Sequence, residues 1–95
     1  MPTIDHRNAA EERIHELVAL LSAHTESDAL RPLVQECESL SRAIAAFHME
    51  GIRFRMFNVD RLLTRGHLPV PSAAADVFNE ARRELEAAGF HTRSH

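Results

Sequence analysis

Residues 51–63 read GIRFRMFNVDRLL, and the way this stretch is taken decides the fold. In steps of two it alternates like a strand, with Ile52, Phe54 and Met56 set against Arg53 and Arg55. In steps of 3.6 it is the second half of a helix that is apolar on nearly every side. Upstream, Leu30, Leu33, Cys37, Leu40, Ile44 and Phe47 repeat as a helical seam. At about 100° per residue the same seam continues through His48, Gly51, Arg55, Asn58 and Leu62. No proline or turn dipeptide interrupts residues 33–65, and the short segments HLPV and FHTR are poor partners for a lone strand. Gly51 costs a helix only about 1 kcal/mol relative to alanine. The pattern therefore predicts one helix over 30–64, with Pro32 in its first turn, where a missing amide costs little.

The flanking segments are simpler. Asn8 and Glu11 have the spacing of a capping box, and Ile14, Leu17, Val18 and Leu21 follow as one stripe, predicting a helix over 8–23. Gly66, Pro69 and Pro71 stop the middle helix and delay the next. Ser72 then opens a helix over 72–88 that Gly89 ends, with Ala74, Val77, Phe78, Ala81, Leu85 and Ala88 on one face. Residues 1–7 and 90–95 read as flexible ends of a single domain.

A helix from 30 to 64 is about 50 Å long, and two short helices cannot wrap it. Ile52, Phe54, Met56, Phe57, Val59 and Leu63 point in too many directions for one intrachain partner. Apolar surface all round a helix calls for burial all round. The expectation is an all-α, short–long–short chain forming an intertwined helical-bundle homodimer, with those six residues as its interface. The rival is a kink at Gly51 that closes a monomeric three-helix bundle.

Composition narrows the function classes. The 95 residues are 44% hydrophobic and 26% charged, with a formal net charge of −3, which argues against a nucleic-acid coat. The N-terminal stretch MPTIDHRNAAEER lacks signal-peptide order and no run is long enough for a membrane span, so a cytoplasmic protein is expected. The single cysteine excludes an intrachain disulfide, and Cys37, flanked by Glu36 and Glu38, reads as a small buried hydrophobe. Phosphate-cradling loops, nucleophile elbows and the cysteine and histidine spacings of zinc sites are all absent. Glu12 and His15 have the Glu-x-x-His spacing of di-iron bundles, but Glu12 falls opposite the apolar stripe and reads as solvated. No catalytic residue, metal site or cofactor is expected.

His48, Arg55 and Asn58 are polar groups on the seam, around the gap that Gly51 leaves. They read either as a structural cluster, with Arg55 paired to an acid such as Glu84, or as an anion pocket. The arginines of the second half (Arg53, Arg61, Arg65, Arg82 and Arg83) suggest nucleic-acid contact, but Asp60, Asp76, Glu80 and Glu84 interleave with them. The function expected is a small protein–protein interaction module, with ligand binding at His48, Arg55 and Asn58 as the alternative and DNA binding as the second.

Overall fold

The computed structural model describes residues 5–90, which form four helices and no strand: α1 (His6–Ser22), α2 (Arg31–Ala45), α3 (Met49–Arg65) and α4 (Ala73–Ala87). The all-helical reading holds, but the count of three does not. A rod over 30–64 would also exceed the 42 Å greatest extent of the molecule, whose radius of gyration is 12.7 Å.

The break falls at Phe47 and His48, ahead of Gly51. Helix α2 ends in a Schellman turn: the amide of Phe47 donates to the carbonyl of Ile44 at 3.0 Å, and that of His48 to Ala43 at 3.0 Å. The left-handed position of such a turn normally belongs to glycine, yet here Phe47 holds it with φ 56°. His48 then starts α3 as its N-cap, its Nδ1 accepting the Gly51 amide at 2.9 Å. Glycine at 51 makes room for the bulky cap, since a Cβ there would lie 2.5 Å from His48 Nδ1. The gap read as a pocket is therefore filled by the imidazole.

This turn folds α3 back antiparallel on α2, with Gly51 beside Ala43 and Arg55 reaching Glu36. The reversal also resolves a conflict of phase. Leu33, Cys37, Leu40 and Ile44 bury one stripe of α2, whereas Ile52, Met56 and Val59 form a second stripe, rotated from the continuation of the first. One straight helix cannot bury both against the same core; two helices can.

Left-handed phenylalanine is strained by about 1–2 kcal/mol. Its ring meets Phe90 edge-on, centroids 5.1 Å apart and planes at 70°. We therefore expect Phe47→Gly to be more stable than Phe47→Ala by about 1 kcal/mol in urea denaturation, because both lose the ring and only glycine relieves the backbone. A continuous helix would give the opposite order by a similar amount. Alanine at or above glycine in stability would refute the break.

Helix α1 packs against both α2 and α4, and α2 against α3. It begins earlier than the capping-box spacing suggested: Asp5 is the N-cap and its carboxylate accepts the Asn8 amide at 3.0 Å. Residues 5–7 are thus part of the structure. Arg7 donates to the carbonyls of Ile44 and Ala45 at 3.2 and 3.3 Å, placing a cation on the free C-terminal end of α2. Gly89, with φ 98°, closes α4 with a second Schellman turn, and the Phe90 amide donates to Leu85 at 2.9 Å. Phe90, expected in a loose tail, is buried. The expected flexibility of 1–4 and 91–95 concerns residues outside those described.

The core joins Ile14, Leu17 and Leu21 of α1 to the α2 and α3 stripes and to Val77, Phe78, Ala81 and Leu85 of α4. Ala88, assigned to that last face by spacing, is exposed. Helices α3 and α4 are tied by Arg82, which reaches Asp60 at 3.2 Å while its guanidinium lies 4.9 Å from the centre of the Phe78 ring.

Candidate functional site

The three polar residues singled out on the seam have separate employments. His48 is exposed and spends its ring nitrogen on the Gly51 amide. Arg55 uses one terminal nitrogen on both carboxylate oxygens of Glu36, at 2.9 and 3.1 Å, fastening α3 to α2. Its acidic partner is Glu36; Glu84 lies instead 3.4 Å from His6. Asn58 is half-buried one turn further along.

The six residues named as an interface divide into three classes. Ile52, Met56 and Val59 are covered inside the chain, because the turn at Phe47 directs them at α2. Leu63 is half-buried against the same core. Phe54 and Phe57 are left outside, 57% and 56% exposed. Phe47 (53%) and Met49 (47%) are also exposed, but they line a separate hollow with Ala88, Gly89 and Phe90, where the α2–α3 turn meets the end of α4. These four are the only large apolar side chains that stand exposed among the described residues.

The reason is positional. Helix α3 packs chiefly on α2, and its opposite side is left exposed among the described residues. On that side Glu50, Phe54, Phe57 and Arg61 fall at i, i+4, i+7 and i+11, a single stripe. All four are exposed, with Arg53, Thr64 and Arg65 exposed beside them. The Arg55 guanidinium lies 5.1 Å from the centre of the Phe54 ring while held by Glu36, so one of the two rings rests on a fixed cation.

Sequence reasoning missed a second feature, a groove of about 360 Å³ between α1 and α2. It is lined by His15, Val18, Ala19, Glu38, Ser41 and Arg42. His15 Nε2 and Ser41 Oγ lie 2.7 Å apart, and Glu11 Oε2 is 3.8 Å from the same nitrogen. Acid and hydroxyl thus share one ring nitrogen, whereas nucleophilic catalysis needs the acid on the other. Ser41 also sits inside α2, where the neighbouring amides are engaged in the helix and supply no oxyanion donors. The arrangement ties α1 to α2. Ser41 carried a faint signal, being the polar residue next to Leu40 at the edge of the buried stripe.

His15 is not joined by Glu12, whose side chain is exposed beside Arg13. Among the described residues no three His, Cys, Asp or Glu side chains stand close enough to hold a metal ion. Cys37 is fully buried, and burial first, then Glu36 and Glu38, pushes its thiol from 9.0 up to about 12. That setting is the reverse of the one that activates a cysteine. No helix among the described residues is long and apolar enough to cross a membrane. Comparison with known protein families, curated proteins and solved structures finds no match to this chain.

Proposed function

We propose that this chain is a small non-enzymatic interaction module that works by burying the outer side of α3 against another macromolecule. The observation that carries this reading is the pair of exposed rings, Phe54 and Phe57, side by side on the outer stripe of α3, while the other helices turn their large apolar groups inward. Fully burying one phenylalanine is worth about 1.5–3 kcal/mol, so two neighbouring rings on a rigid helix make an effective anchor. The Glu36–Arg55 pair holds the helix and the Phe54 ring in place before binding, which lowers the ordering cost.

The test is site-specific photocrosslinking in cells. Replacing Phe57 by p-benzoyl-phenylalanine should give one discrete adduct, and the same group at exposed Glu86 on α4 should not. Adding Phe54→Ser to the labelled chain should abolish the adduct. No discrete adduct at 57, or equal adducts at 57 and 86, would overturn the reading.

A further inference from the structure

The stripe that runs along the outside of α3 is self-complementary. Phe54 and Phe57 lie symmetrically about the Arg55–Met56 peptide, and so do Glu50 and Arg61. Two such helices laid antiparallel, with a two-fold axis at that peptide, bring each Phe54 against the partner's Phe57. The same rotation brings each Glu50 against the partner's Arg61, twice per pair. Within the chain neither Glu50 nor Arg61 makes an ion pair among the described residues, so both charges are free for this contact.

We propose that the occupant of the outer face of α3 is a second copy of this chain, docked antiparallel in that register. The proposal rests on the reading of this face as an interaction surface and names its partner. Charge selects the arrangement: a parallel pair would set Glu50 on Glu50 and Arg61 on Arg61, and a purely acidic partner would meet Glu50 at one end of the stripe. The 4–3–4 spacing of residues 50, 54, 57 and 61 is also that of a coiled-coil seam, so the helices can pack side by side along the stripe. Each four-helix unit keeps its own core, and the dimer joins two finished folds.

A single helix of 17 residues is about 25 Å long, and one such contact falls below the size of a permanent interface. The dimer is therefore weak and reversible.

Sedimentation equilibrium on the full chain, from 1 µM to 1 mM, tests the register by charge exchange. Glu50→Arg and Arg61→Glu should each weaken self-association about 10-fold, because each creates two like-charge contacts. An equimolar mixture of the two variants should associate at least as tightly as wild type, since every contact in that heterodimer is again complementary. Phe54→Ala with Phe57→Ala should weaken self-association about 100-fold with unchanged helical circular dichroism. Charge reversals without effect, or a mixture no tighter than its components, would overturn the register. Wild type monomeric at 1 mM would overturn the second copy as occupant. The crosslink at residue 57 reports independently on the surface itself: an adduct to a different protein would retain the interaction surface and refute self-association.

Discussion

Ile52→Ala should lower stability by about 2–5 kcal/mol, by the same amount at every protein concentration. Ile52 is fully buried within one chain, between the inward side of α3 and the core it shares with α2. Truncation removes the transfer energy of the side chain and leaves a cavity that a close-packed interior closes only in part. In a domain of this size each kcal/mol is worth about 4–8 °C, so the melting temperature should fall by roughly 10 °C or more. Concentration independence carries the weight of the test. Were Ile52 packed in an intertwined interface, unfolding would be coupled to dissociation and the midpoint would rise with protein concentration. Phe57→Ala is the matching control: its ring is more than half exposed, so the loss should stay within about 1 kcal/mol. At concentrations low enough to dissociate a reversible dimer docked through α3, a midpoint that still depends on concentration, or equal losses for the two variants, would refute the placement of these side chains.

The second large effect is alkaline. Burial holds the Cys37 thiol protonated up to about 12, against 9.0 for an ordinary thiol, so above pH 9 the unfolded chain releases a proton that the folded chain keeps. The folded state then binds more protons, and linkage makes stability fall as pH rises. The contribution is fully present below pH 9 and is lost between pH 9 and about 12, at about 1.4 kcal/mol per pH unit. The composition makes this readable, because the chain has no tyrosine and all eleven of its basic residues are arginine. No other side-chain type ordinarily titrates between pH 9 and 12. Urea denaturation of wild type and Cys37→Ala from pH 8 to 11 should give a falling line for the first and a nearly flat one for the second. Parallel lines would show that the thiol ionises as easily folded as unfolded. The native thiol should also resist alkylating reagents at pH 8 and react once urea unfolds the chain.

Much of this architecture was legible in the residues. The Ile14–Leu17–Leu21 stripe, the Val77–Phe78–Ala81–Leu85 face and the Leu33–Cys37–Leu40–Ile44 seam all turn inward as their spacing requires. The turns at residues 24–28 and 65–72 fall where polar residues, glycine and proline punctuate the chain. The break between α2 and α3 was hidden because neither residue that makes it is an ordinary breaker. Phenylalanine is a poor left-handed residue, and histidine lies outside the Ser, Thr, Asp and Asn group that usually marks an N-cap. Two signals were nevertheless present: a glycine at the third helical position after His48, and a new stripe at Ile52, Met56 and Val59 out of phase with the old one.

The candidate site was half legible for the same reason. Exposed Phe54 and Phe57 and buried Ile52 and Met56 lie within six residues of each other, and apolar character alone does not sort them. Their division depends on the direction in which α3 folds back. His48 and Arg55 read as neighbours on a continuous seam, and the turn gave each a different partner.

By itself, the sequence determined that the chain is helical, where the first and last helices lie, which of their faces turn inward, and that Cys37 is buried. Those features follow from periodicity and local punctuation, which act over a few turns of chain. Only the tertiary structure decided where the middle segment breaks and which of its apolar residues remain outside. A left-handed phenylalanine costs about 1–2 kcal/mol locally, whereas burying Ile52, Met56 and Val59 together returns several times that. The Phe47 ring also finds Phe90, 43 positions away in the chain, to pack against. No local pattern contains that contact, so the strained turn becomes favourable only when the four helices pack together.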